Sequence, residues 1–149
     1  MPVTFEDVVN QLDREEPDYT QAARLGPEAL PFVRRLIQGS NIALASKAAF
    51  LAGQIAGKGS LPILGLAARH PDPVVRVAAA ASVRNFTGLS PTLANTFLSD
   101  TDAGVRKWGL RAIELTQPRG IKPSVEKIMN GDPDPSLREQ ARKVLDRVK

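Results

Sequence analysis

The chain contains no cysteine. That absence excludes a disulfide-stapled scaffold, a thiolate zinc site and a cysteine nucleophile, and gives no sign of an oxidising compartment. The only histidine is His70, so no multi-histidine metal centre can form within one chain. Aromatics are scarce, with five Phe, one Tyr and one Trp in 149 residues. No apolar run approaches the roughly 18 residues of a membrane span. The acidic start Met1-Pro-Val-Thr-Phe-Glu-Asp7 is the opposite of a basic and then apolar secretory leader. These absences lead to the expectation of a cytoplasmic protein with no membrane association, no cofactor and no metal.

What is present is 42% hydrophobic and 24% charged residues, the balance of a folded chain. Alanine is abundant, and small side chains let helices approach closely, so the composition leans all-α. The net charge of +4 divides unevenly. Residues 1–28 carry seven acids and two bases, a net of −5, whereas residues 29–149 carry eighteen bases and nine acids, a net of +9. An acidic start and a basic body can attract one another or mark surfaces for different partners.

Four segments superpose in register: Asn41-Ile-Ala-Leu-Ala-Ser-Lys-Ala48, Asp72-Pro-Val-Val-Arg-Val-Ala-Ala79, Asp102-Ala-Gly-Val-Arg-Lys-Trp-Gly109 and Asp134-Pro-Ser-Leu-Arg-Glu-Gln-Ala141. Their starts lie 31, 30 and 32 residues apart. Each opens on an Asp or Asn that can accept a hydrogen bond from an orphan helix amide. Pro73 and Pro135 follow in the first helical position, where a missing N–H costs nothing. Apolar or small residues then recur at helical spacing, as in Val75, Ala79, Val83 and Phe86 or Leu137, Ala141, Val144 and Val148. Arg76, Arg106 and Arg138 share one slot, which the first repeat gives to Ala45.

A shorter helix is predicted before each of these, over Pro27–Gln38, Ser60–Arg69, Ser90–Ser99 and Ile121–Asn130. Gly26, Gly57 and Gly88 fall 31 apart, as left-handed C-caps would. The next glycine comes at Gly120, one place late. Thr4 to Asp7 has the form of a capping box, and Pro17 to Leu25 offers it a partner helix, with Tyr19 falling 31 before Phe50. The expected architecture is all-α, a right-handed solenoid of about four and a half antiparallel helix pairs whose stacking supplies the core. It forms a single domain over 1–149, with a capping half-repeat at 1–26 and repeats at 27–58, 59–89, 90–118 and 119–149.

The strings Asp100-Thr-Asp-Ala-Gly-Val-Arg106 and Asp132-Pro-Asp-Pro-Ser-Leu-Arg138 resemble the Asp-x-Asp-Pro-x-Val-Arg turn and helix start of HEAT repeats. The resemblance is particularly to the short-period variety also found in phycobilin-lyase-like proteins. The second repeat departs by placing His70 in the first Asp slot, and the first repeat lacks both Asp and Arg. The resemblance implies that Asn41, Asp72, Asp102 and Asp134 cap helices while Arg76, Arg106 and Arg138 bond neighbouring turns into a ladder. On that reading the Asp100/Asp102 and Asp132/Asp134 pairs are structural rather than metal ligands. His70 is taken as a solvated turn residue, and no His-Glu dipeptide of the HEAT-like hydroxylases is present. Gly57-Lys-Gly-Ser60 lacks Walker spacing and is read as a link between repeats.

The resemblance further implies that the second helices line a concave face. Its candidate partner-binding residues are Lys47, Phe50 and Gln54, Arg84, Lys107, Trp108 and Arg111, and Lys143 and Arg147, with Ala78, Ala81, Asn85, Leu115 and Gln140 in the same register. Cations mixed with Phe50 and Trp108 suit a partner held by an aromatic anchor and Arg contacts. With no catalytic residue evident, the expected role is a non-enzymatic adaptor for a protein partner with an acidic surface. Nucleic acid in a basic groove is an alternative, weakened by the cation gap at Ala78, Ala81 and Asn85. An accessory or lyase factor for phycobilin chromophores, with Trp108, Arg111 and Lys143 lining a pocket, is another that the resemblance implies.

Overall fold

The structure, a computed structural model, describes residues 2–55, 57 and 59–148. Among the described residues it is all-helical, with ten α-helices, three short 3-10 turns and no strand. The chain divides into two compact units between Asn85 and Phe86.

The first unit holds α1 (Phe5–Leu12), α2 (Tyr19–Ala22), α3 (Leu30–Ile37), α4 (Ile42–Ile55), α5 (Ser60–Ala67) and α6 (Pro73–Ser82). α1 starts at a reciprocal capping box, in which the Asp7 amide donates to Thr4 Oγ1 at 3.1 Å and the Thr4 amide to Asp7 Oδ2 at 2.9 Å. The segment predicted as one helix over Pro17–Leu25 is a single α-turn that tightens into a 3-10 turn over Ala23–Leu25. Likewise α3 is preceded by a 3-10 turn at Pro27–Ala29, and α6 runs out into another at Val83–Asn85. Such tightening at helix ends satisfies carbonyls that the α-pattern leaves open.

α4 is the hub of this unit, packed against α3, α5 and α6 and touched by α1 and α2. Its buried face is nearly all small: Ala45, Ala48, Ala49, Ala52 and Gly53. A Cβ on Gly53 would lie 2.7 Å from Ser82 Cβ, so the missing side chain sets how closely α4 and α6 approach. Around the hub Val8, Leu12, Val33, Leu51, Leu64 and Val75 are wholly buried. Lys58, in the Gly57-Lys-Gly-Ser60 link, and Ala56 just before it lie outside the described residues.

The second unit repeats the plan with α7 (Pro91–Leu98), α8 (Ala103–Thr116), α9 (Lys122–Gly131) and α10 (Pro135–Leu145). α8 packs on α7 and α10, and α10 on α9. Gly109 plays the part of Gly53, since a Cβ there would stand 2.8 Å from Phe97 Cβ. α8 ends on Gln117 in the left-handed region at φ 48°, followed by Gly120 at φ 71°. The one-place slip of the glycine is thus accompanied by a left-handed residue three positions earlier. Gly26 and Gly88 take positive φ as well, at 75° and 71°. Among the described residues no helix is long and apolar enough to cross a membrane.

Candidate functional site

Each turn leading into a long helix is built by the same few groups. The cap side chain takes an amide of the first helical turn: Asn41 from Leu44 at 3.0 Å, Asp72 from Val74 at 2.8 Å, Asp102 from Val105 at 3.0 Å and Asp134 from Ser136 at 2.8 Å. Two residues before the last two caps, Asp100 Oδ1 accepts from the Asp102 amide and Asp132 Oδ1 from the Asp134 amide, both at 2.9 Å. In the second repeat that acceptor is His70 Nδ1, which takes the Asp72 amide at 2.9 Å. The ring is therefore a working part of the turn, not merely a solvated residue on it.

The arginine four places after each Asp cap folds back under its own turn. Arg76 Nη1 donates to the His70 and Pro71 carbonyls at 2.9 and 3.0 Å, and Arg106 Nη1 to the Asp100 and Thr101 carbonyls at 3.0 and 3.1 Å. Arg138 Nη1 donates to the Asp132 carbonyl at 2.6 Å. Arg106 also forks onto the next turn, with Nε 2.8 Å from Asp132 Oδ2 and Nη2 3.1 Å from Oδ1. The Asp132 side chain is only 3% exposed, so this is a shielded pair. The carboxylates that suggested a metal are spent on amides and on Arg106. Among the described residues no group of three or more His, Asp or Glu is placed to hold an ion.

The candidate partner-binding residues are divided between the two units. In the first, Lys47 is half-buried and its Nζ donates to the Arg14 carbonyl at 2.6 Å, tying α4 to the segment after α1. Phe50 is 37% exposed, its ring 5.8 Å from that of Tyr19 and tilted by 54°. Partial burial pushes the Tyr19 hydroxyl above the usual tyrosine range. Gln54 and Arg84 are exposed. Ala78 and Ala81, read as part of the same face, are instead buried at 1% and 8% exposure. They lie on the helix that packs most heavily on α4, and their small side chains allow that approach.

In the second unit the face is better formed. Trp108, Arg111 and Leu115 lie at i, i+3 and i+7 of α8, a single helical stripe. Trp108 is half-buried, the Arg111 guanidinium sits 5.8 Å from its ring centroid, and Leu115 is 60% exposed. Lys107, on the same helix, and Lys143, on α10, are exposed. The Lys107 carbonyl accepts from Gln140 Nε2 at 3.1 Å, which pins α8 to α10. Arg147 forms an ion pair with Glu114, and its carbonyl accepts from Gln117 Nε2 at 3.0 Å. The sequence register paired Tyr19 with Phe50 without naming it a site residue, and it did not name Glu114. Tyr19 was legible from its 31-residue offset to Phe50, while Glu114 gave no comparable signal.

No family model matches the chain, and no curated protein matches it in sequence. A solved structure, the complex of CpcE and CpcF of phycocyanin lyase from Nostoc sp. PCC7120, is similar in fold, with a TM-score of 0.74. The match covers 94% of this chain and 96% of that one at 18% sequence identity. It places the chain in the HEAT-like helical solenoid class. It also overturns the expectation of a non-enzymatic protein. The same arrangement of helices, over nearly its full length, occurs in a lyase complex. The expectation had rested on finding no nucleophile, base or metal cluster within one chain, and a chain that acts within a complex need not carry its own.

Proposed function

We propose that this chain is a lyase-associated subunit that joins a protein partner through the Trp108–Arg111–Leu115 stripe of α8. The observation that carries the reading is Leu115, 60% exposed on the same stripe as an indole overlain by a guanidinium. Large apolar side chains beside Trp and Arg are the composition of interface centres. Lys107, Arg111 and Lys143 give that centre a cationic rim, so the partner surface is acidic. Phe50, Gln54 and Arg84 form a smaller exposed patch in the first unit that serves the same partner class. The solved lyase complex supports the reading in two respects, since it is both an assembly of two proteins and a lyase.

The test is co-purification of the tagged chain with its partner from the native source, beside a Trp108→Ala/Arg111→Ala/Leu115→Ala variant. Loss of the partner with helical content unchanged is the expected result. Equal recovery by both proteins removes the stripe from the reading. A second reading, a factor that handles an open-chain tetrapyrrole, draws on the same complex. It is tested by adding such a pigment to the purified chain, where an unchanged absorption spectrum dismisses it.

A further inference from the structure

The two units carry equivalent grooves between successive inter-helix turns, and an ion pair bridges the one in the second unit. In the second unit the groove between the 99–102 and 131–134 turns, about 580 Å³, is lined by Arg106 and Asp132, which bridge it. In the first unit the corresponding positions are Ala45, wholly buried, and His70. Both ends of the rung are therefore missing at once. His70 keeps the half of the Asp132 role that serves its own turn, accepting the Asp72 amide, and gives up the half that faces the preceding repeat. What remains is an open groove of about 690 Å³, lined by Ile37, Ile42 and Leu66 with Arg69, His70 and Asp72 at its polar side. That volume lies in the range of small-ligand sites, roughly 300–1,000 Å³.

The polar side of the groove offers two donor groups, Arg69 and His70, beside the Asp72 carboxylate. The His70 and Pro71 carbonyls are already taken by Arg76, and the Asp72 carboxylate by the Val74 amide. With Nδ1 accepting a backbone N–H, the neutral imidazole carries its proton on Nε2 and presents a donor there. Arg69 adds an exposed guanidinium. We infer that this groove binds a small carboxylate with an apolar body, its head on Arg69 and the His70 Nε2–H and its tail on Ile37, Ile42 and Leu66. The site lies wholly in the first unit and goes beyond the partner-binding reading, so either can fail while the other stands.

The experiment is a titration of the full ¹⁵N-labelled chain with decanoate, with decylammonium and decanol as controls. Amide shifts centred on Gly39, Ile42, Leu66 and His70 are expected for decanoate, with decylammonium much weaker. Arg69→Gln lowers decanoate affinity about tenfold, the loss of a charge-assisted hydrogen-bonding partner. Ala45→Arg/His70→Asp, which rebuilds the rung, abolishes the shifts. Should that double variant not fold, Ile42→Glu, which adds a carboxylate at the first position of α4, does the same by repulsion and leaves partner recovery unchanged. Decylammonium binding as tightly as decanoate, an unchanged affinity in Arg69→Gln, or shifts centred away from these turns each overturns the proposal.

Discussion

Gly53 and Gly109 sit at tight helix approaches in their respective units, and each would drive a Cβ into a neighbour that cannot easily yield. For Gly53 the obstacles are Ser82 Cβ at 2.7 Å and the Ser82 carbonyl at 3.0 Å. Gly53→Ala is therefore expected to cost about 1–3 kcal/mol, the usual range for overpacking, read as a lower urea midpoint at unchanged slope. Arg106 is a residue of the opposite kind, held by what it touches. Replacing it with Met leaves Asp132, 3% exposed in its side chain, with the Asp134 amide but without its ion-pair partner. Removing one partner of a shielded ion pair costs on the order of 3 kcal/mol, and a urea titration of Arg106→Met checks it. The sequence register placed this arginine and the HEAT resemblance implied its bond to a neighbouring turn, but neither named Asp132, which the fold brings to it from 26 residues away.

At the level of the helix, the caps make the repeat legible. Asp or Asn with an apolar residue three after it, and Pro directly after the cap at Asp72 and Asp134, is a local signal, and the long helices begin where it falls. Helix ends were less legible, since whether a turn tightens to 3-10, as at Val83–Asn85, depends on what packs against it. The face beside the core stripe was the least legible. Periodicity assigns Ala78 and Lys47 to one surface, yet the first is buried and the second tied to the Arg14 carbonyl. The α10 cap supplies a pH prediction. Hydrogen bonds from the Ser136 hydroxyl, then from its amide, hold the Asp134 carboxyl below the usual aspartate range. A depressed folded-state value contributes stability above roughly pH 4 that is lost as pH falls through the lower value. Asp134→Asn keeps a capping oxygen but does not titrate, so its acid unfolding followed by circular dichroism is expected to lose that part of the pH dependence.

For the molecule as a whole, the charge division between residues 1–28 and 29–149 means that the basic body, net +9, meets any acidic partner with a long-range attraction. Partner binding is expected to weaken as salt rises from about 50 to 300 mM, because the screening length falls across that range, and binding isotherms at several salt concentrations check this. The helical solenoid was readable from the recurrence, and the HEAT-like and phycobilin-lyase-like resemblance from the strings at 100–106 and 132–138, whereas the expectation of a non-enzymatic protein failed because no catalytic group announces itself in this chain. One guanidinium carries a last consequence. Arg106 grips the carbonyls of one turn and the carboxylate of the next, so neither can loosen without releasing the other. Amide protons around residues 100–106 and 132–138 are accordingly expected to exchange with solvent deuterium through one shared opening event. In Arg106→Met the two stretches part company, each exchanging at its own pace.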